Sequence, residues 1–441
     1  MNNSIYSPGT LPARLSPDEY ETNFSDINPE LSSHEALVEA DRCYFCYDAP
    51  CVTACPTGID IPLFIRQIST GTPRAAAKTI FDSNILGGMC ARSCPTENLC
   101  EGACVRETAE GEPVEIGRLQ RYATDTLMLE ENHPYQRAPE TGKKIAVIGS
   151  GPAGLACAHR LAMYGHTVEI FEKKAFLGGL NQTGIATYKT VNNFAQKEIE
   201  WLLQIGGIKT HLNSPVSSIT DLNKLSEDFD VVFVGAGLED VNRLNINSEK
   251  FTEAVNFIEE LRLSSNFGTI PIGKNVVVIG GGMTAIDAGV QSKLLGSENV
   301  TIAYRRSRSD MGASEHEINL ALKNGVKLIT NAVPLGISGQ GSEEKLQLGR
   351  TEIVNGIIQP TEEKIELPVD QVFLAIGQKL DWDFGSIEIE GGKIVVNSSG
   401  RTSIPGVWAG GDCTNRGDDL TVTAVAQGRD AAEDIHEQLR T

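Results

Sequence analysis

The sequence predicts an α/β fold, helical at its N-terminal end and doubly wound beyond it, and three observations predict it. Eight of the ten cysteines fall between Cys43 and Cys104, in stretches with helical periodicity. From Lys143, "KKIAVIGSGPAGLACAHRLAMYGHTVEIFEKK" reads as an apolar strand, a glycine loop, a helix and a second strand ending in acid. A related unit returns from Lys274 as "KNVVVIGGGMTAIDAGVQSKLLGSENVTIAYRRS". Two copies of one strand–loop–helix–strand unit mark an internal duplication, read as two Rossmann-like dinucleotide-binding domains.

Taken in order, the polar residues 1–30 read as a loose arm punctuated by Pro8, Pro12, Pro17 and Pro29. "SSHEALVEADRC" reads as a helix opened by a capping box, Ser32 with Glu35. "DIPLFIRQISTGTPRAAAKTIFDSN" is also helical in pattern, and 131–142 is a polar, Pro-containing linker. The expected domains are 1–138, helical and cysteine-bearing; 139–255, the first part of an FAD-binding domain; 256–378, an inserted NAD(P)-binding domain; and 379–441, the second FAD part.

The 441 residues suffice for two or three domains, and 44 glycines suit a fold rich in tight strand–helix turns. A formal net charge of −20 argues against nucleic acid or an anionic membrane as partner. The polar start has no signal-peptide core, and no apolar run is long enough to span a bilayer. A cytoplasmic protein is therefore expected, a setting in which structural disulfides are rare.

Gly149, Gly151 and Gly154 form G-x-G-x-x-G directly after the strand "IAVI". The first glycine permits the turn, the second lets backbone approach a pyrophosphate, and the third packs helix on strand. Glu172 ends the next strand, placed to bind ribose hydroxyls. Gly179 joins this first nucleotide set. In the second unit Gly280, Gly282 and Ala285 take the glycine positions, with Asp287 on the following helix. Tyr304, Arg305 and Arg306 stand where the first unit has its acid. Guanidinium groups there suit a 2′-phosphate, so NADPH is expected, with NADH as the alternative.

Gly411 and Asp412, after the strand "GVWA", resemble the second signature of flavoproteins with two dinucleotide domains, whose Asp binds the ribityl chain of FAD. The helix starting at Thr421 and Val422 would point its positive end at the flavin. "FVGAG" and "LAIGQ" resemble the chain crossings between the two domains in that group. Its disulfide reductases need a Cys-x-x-Cys near the flavin, and none follows residue 140. Cys157 and Cys413 stand alone.

The dense cysteines run Cys43-x2-Cys46-x4-Cys51-x3-Cys55-Pro, then Cys90-x3-Cys94-Pro-x4-Cys100-x3-Cys104. Each run contains a Cys-Pro step, as bacterial ferredoxins do, and only one zinc-type Cys-x2-Cys occurs. Spacing and compartment favour iron–sulfur over zinc or disulfides, and eight thiolates would hold two 4Fe-4S clusters.

Residues 36–441 resemble the electron-input half of dihydropyrimidine dehydrogenase, specifically the separate small subunit found in bacteria. The resemblance is carried by "ADRCYFCYDAPCVTACPTGIDIPLFI", "NILGGMCARSCPTENLCEGAC" and "IGRLQRYATD". It implies interleaved ligands: Cys43, Cys46, Cys51 and Cys104 on one cluster; Cys55, Cys94, Cys100 and Gln120 on the other. Cys90 would then be spare, where counting alone makes it the eighth ligand. The small subunit of glutamate synthase is the nearest rival; its second cysteine run is shorter. Met283 and Gly312 depart from the residues usual in both families and bear on nicotinamide binding.

The resemblance implies electron input from NAD(P)H through FAD and two 4Fe-4S clusters to an FMN and iron–sulfur partner subunit that reduces uracil or thymine. No residue is expected to act as a catalytic acid or base, since hydride transfer needs positioning. Two alternatives are a glutamate synthase small subunit and a non-enzymatic electron-transfer or scaffold protein.

Overall fold

The structure, a computed structural model, describes residues 3–130, 133–244, 246, 248–339, 344–354, 357–382 and 385–440. Its contacts divide the chain into two compact units. One comprises Asn28–Gln182, Asn192–Asp240 and Lys379–Thr441; the other comprises Met1–Ile27, Thr183–Val191 and Val241–Gln378. Among the described residues no helix is long and apolar enough to cross a membrane.

The first unit begins with short helices. Ser32 caps helix Ser33–Asp41 through the reciprocal bonds of a capping box with Glu35. Asp60 caps helix Ile61–Ser69, which buries Ile61, Phe64, Ile65 and Ile68 along one face. Helix Ile116–Met128 likewise turns Leu119, Gln120, Ala123 and Leu127 inward. A five-stranded parallel sheet follows, in the order Val407–Ala409, Val231–Val234, Lys144–Ile148, Thr167–Phe171, Ile208–His211.

One hydrophobic core serves both parts of this unit. Phe81 of the helical part packs on Trp201 of the sheet part, with ring centroids 4.5 Å apart. The expected boundary near 138 therefore separates sequence patterns rather than cores. The short helices pack on one another, and the sheet's covering helices extend the same core.

The second unit holds a parallel sheet ordered Lys327–Ile329, Asn299–Ala303, Asn275–Gly280, Gln371–Ala375, Phe251–Glu253. An antiparallel sheet of Ala332–Ser338, Lys345–Val354 and Ile357–Pro368 accompanies it. Because Phe251–Glu253 pairs with Gln371–Ala375, residues 241–255 belong with this sheet, and the boundary expected at 255 lies nearer 240.

The N-terminal arm is not loose. Thr10–Leu11 pairs with Ile272–Gly273, and Phe24 stacks on Phe267 at 4.2 Å between centroids. Arg14 is buried, its guanidinium donating to the backbone carbonyls of Ile272, Ser4, Ile5, Ser7 and Gly9. A proline-rich segment has no regular ladder of its own, and one five-donor side chain gathers its carbonyls instead.

Candidate functional site

In the first unit the glycine loop is closed from both sides. Gly149 has φ +88°, and a Cβ there would lie 2.5 Å from the Gly235 carbonyl oxygen. At Gly154 a Cβ would lie 2.0 Å from the Gly149 oxygen, and at Gly179 2.8 Å from the Gly151 Cα. Gly151 caps helix Pro152–Met163, whose first N–H groups are left for an anion. The Glu172 carboxylate accepts from Ser150 N–H at 2.9 Å, Ser150 Oγ–H at 2.5 Å and Lys174 N–H at 2.8 Å. Ser150 was not flagged by the motif, which specifies only glycines.

The C-terminal residues meet this loop. Gly411 has φ +83°, and a Cβ on it would sit 3.1 Å from that of Ala153. Thr421 Oγ1 donates to Asn181 Oδ1 at 2.7 Å, beside the Gly179 turn. Burial pushes the Asp412 pKa up to about 6; Asp419 adds to the shift and Lys393 opposes it. Gly149, Gly151, Gly154, Glu172, Gly179, Gly411, Asp412 and Thr421 thus form one neighbourhood within the unit.

In the second unit a cleft of about 670 Å³ is lined by Gly280, Gly282, Thr284, Tyr304, Arg305 and Gly312, among others. The volume is that of a small-molecule site. Gly280 lets the strand pass the Ala375 carbonyl, which a Cβ would approach to 2.2 Å. Gly282 caps helix Met283–Leu294 and has nothing within 4 Å of its would-be Cβ. Tyr304 lines the cleft at the position its sequence place indicated, whereas Thr284 carried no signal as a cleft residue.

Three expected residues do not line this cleft. Ala285 is wholly buried and packs its helix on the sheet. Arg306 is exposed. Asp287 faces the interior: its carboxylate meets Lys189 Nζ at 2.8 Å and the Tyr188 hydroxyl at 3.1 Å. Lys189 also meets Glu317 at 2.7 Å. Burial disfavours this ammonium, yet Asp287 and Glu317 together hold its pKa above the ordinary lysine value. A buried carboxylate needs a cation, and the segment Thr183–Val191 supplies it.

The eight clustered cysteines line two cavities in the first unit. Cys43, Cys46, Cys51 and Cys104 line one. Cys55, Cys90, Cys94 and Cys100 line the other, with Gln120, Asn84 and Val422. Helix Pro50–Ala54 carries Cys51 and ends at Cys55, whose extended backbone turns the chain toward the second cavity. Cys90 and Cys94 come from helix Gly87–Ser93 and its C-cap. All ten cysteines are free thiols. Among the described residues no three His, Cys, Asp or Glu are arranged to hold a single metal ion. Four thiols line each cavity, the number a 4Fe-4S cluster takes.

Gln120 Nε2 donates to the Gly87 carbonyl at 2.7 Å, and Gln120 is buried. Burial pushes the Cys51 thiol up to about 12, with the thiols of Cys104 and Cys43 adding. The Cys94 thiol is raised by its hydrogen bond to Cys90 and then by burial, and Cys100 mainly by burial. Crowded thiols in a dry site resist ionising alone; a positively charged metal centre removes that penalty. Glu198, unmarked in sequence, accepts from the Gly88 and Met89 N–H groups at 2.8 and 3.1 Å. Burial pushes it up to about 8.

Comparison with known proteins agrees with this geometry. Residues 20–132 match the family described as dihydropyrimidine dehydrogenase domain II, 4Fe-4S cluster. Residues 143–428 match the pyridine nucleotide-disulphide oxidoreductase family. The NAD-dependent dihydropyrimidine dehydrogenase subunit PreT of Escherichia coli K12 is 34% identical, over 95% of this chain and 98% of its own. The glutamate synthase [NADPH] small chain of the same organism is 33% identical, over 93% of each. FprA of Mycobacterium tuberculosis, solved in complex with NADPH, shares the fold with a TM-score of 0.56. That match has 19% identity and covers 69% of this chain and 85% of FprA. The chain belongs to the pyridine nucleotide-disulphide oxidoreductase family, as an FAD-, NAD(P)- and 4Fe-4S-dependent oxidoreductase subunit of the bacterial dihydropyrimidine dehydrogenase type, related to the glutamate synthase small chain.

Proposed function

We propose that this chain is the electron-input subunit of a dihydropyrimidine dehydrogenase. It takes electrons from NAD(P)H and delivers them to an FMN and iron–sulfur partner subunit that reduces uracil or thymine to 5,6-dihydropyrimidines. One observation carries the reading: the glycine-loop neighbourhood and both cysteine cavities occupy a single unit, and the start of helix Thr421–Arg440 joins the loop to the second cavity. Thr421 bonds to Asn181 beside the loop, while Val422 lines the second cavity.

The bound FAD and clusters supply hydride acceptance and single-electron transfer. The protein's part is binding and orientation. Gly149, Gly151, Gly154 and Gly179 give a pyrophosphate access to backbone N–H groups. Glu172 and Asp412 are the carboxylates for ribose and ribityl hydroxyls. Cys43, Cys46, Cys51 and Cys104 would hold one cluster; Cys55, Cys94, Cys100 and Gln120 would hold the other. Gly280, Gly282 and Arg305 receive the coenzyme, with Arg305 favouring NADPH over NADH.

The partner reading is supported by Tyr47, which is 99% exposed, and by half-exposed Tyr44 at the first cavity. Aromatic rings displayed beside a redox site suit a docking face. The test is co-expression with a candidate FMN subunit and assay of NAD(P)H-dependent uracil reduction. Glutamate formed from glutamine and 2-oxoglutarate by the complex would overturn the proposal in favour of the glutamate synthase type. Failure of the cofactor-loaded chain to oxidise NAD(P)H with ferricyanide would favour the non-enzymatic reading.

A further inference from the structure

Asn84 follows helix Pro73–Ser83 and lies just before helix Gly87–Ser93, which bears Cys90 and leads into Cys94. Its side chain is completely buried and lines the second cysteine cavity. Oδ1 accepts from the Leu86 N–H at 3.1 Å, and the Asn84 carbonyl accepts from the Gly87 N–H at 3.0 Å. These bonds hold the amide in one orientation. Nδ2 then has no acceptor among the described residues.

Buried amide N–H groups in folded proteins are almost always paired, and leaving one unpaired is costly. Of the described residues lining this cavity, Asn84 alone has a buried side-chain nitrogen or oxygen without a partner. No residue lining the first cavity has one. The second cavity therefore presents a buried amide donor that is unused among the described residues.

We infer that Asn84 is a positioning residue that sets the reduction potential of the second cluster, its Nδ2–H donating to a cluster sulfur. The inference rests on the reading that this cavity holds a 4Fe-4S cluster. A hydrogen bond to sulfur draws electron density from the iron and stabilises the reduced, more negative state, so the potential rises. Among the described residues lining the first cavity, no buried side-chain nitrogen or oxygen is left without a partner. Val422 ties this second cavity to the helix that starts beside the flavin loop, so the raised potential belongs to the cluster nearer the electron source.

The test uses the cofactor-loaded full chain and two variants. Asn84→Asp keeps the acceptor for the Leu86 N–H but removes the donor; Asn84→Ala removes both. Iron content, a potentiometric titration followed by electron paramagnetic resonance, and proton couplings in H2O and D2O are measured. The second cluster is identified as the one whose signal changes in Cys100→Ser.

The wild type should show an exchangeable proton coupled to the second cluster, absent in both variants. Both variants should make that cluster at least about tenfold harder to reduce, 59 mV for one electron, with the first cluster unmoved. Iron-replete variants with an unchanged potential would overturn the proposal. So would loss of the second cluster in both variants, which would make Asn84 a purely structural residue. A wild-type chain that takes up only one cluster, or zinc, would instead overturn the reading of the cavity, and this inference with it.

Discussion

The side-chain amide of Gln120 donates to the Gly87 carbonyl across 2.7 Å. With Nε2 committed there, the oxygen is the atom left to face the second cavity, where Cys90 also stands. Gln120→Ala should therefore disturb one cluster, while Cys90→Ala leaves about eight irons per chain. Iron and sulfide analysis of the two variants decides between them. Loss of iron in Cys90→Ala alone would make that thiol the eighth ligand.

Glu198 provides a pH signature. Its folded pKa, about 8, lies above that of an exposed carboxylate, because burial outweighs the Gly88 and Met89 N–H groups and the nearby Arg92. The folded chain thus binds this proton more tightly than the unfolded chain, so the contribution is complete at low pH and is lost as pH rises toward 8. Glu198→Gln, which stays neutral, should gain melting temperature relative to wild type between pH 5 and 8. A constant difference across that range would show that Glu198 does not titrate there.

Lys189 sits between two buried carboxylates, Asp287 and Glu317. Lys189→Met takes the shared cation from both carboxylates and should cost the second unit about 3–5 kcal/mol in denaturant unfolding. The triple variant Lys189→Met, Asp287→Asn, Glu317→Gln should recover most of that loss.

Gly154 and Gly282 occupy matching loops but should respond differently. A Cβ at Gly154 would lie 2.0 Å from the Gly149 oxygen, so Gly154→Ala should lose FAD and stability together. At Gly282 the space is open. Gly282→Ala should unfold within about 0.5 kcal/mol of wild type while raising the KM for NAD(P)H. Flavin content, denaturation and steady-state kinetics separate the two.

Of the paired arginines, only Arg305 lines the coenzyme cleft. Arg305→Ala should raise the KM for NADPH about tenfold, a loss of roughly 1.4 kcal/mol, and leave that for NADH unchanged. Arg306→Ala should move neither. Equal effects of Arg305→Ala on both coenzymes would remove the 2′-phosphate role.

Much of the site was legible because local rules govern it. The glycines of both loops are needed for backbone approach, and G-x-G-x-x-G after a strand records that need within a few residues. Ser32 and Glu35 announced their capping box in the same way. Asp287 misled because its place in the motif suggested a ligand, whereas its partner Lys189 lies far away in sequence. Asn84 and Glu198 were silent for the same reason: nothing local distinguishes a buried, functional polar residue from an exposed one.

By itself, the sequence determined the α/β class, the two dinucleotide units and the clustering of eight thiols, since turn geometry and periodicity are short-range properties. The family resemblance already implied that Cys104 joins Cys43, Cys46 and Cys51; only the tertiary structure showed Cys90 lining the same cavity as Gln120. It alone gave the N-terminal arm a place beside Ile272–Gly273, and Asn84 an amide without a partner. Each of these depends on burial and on which distant segment fills the remaining space, and long-range packing sets both.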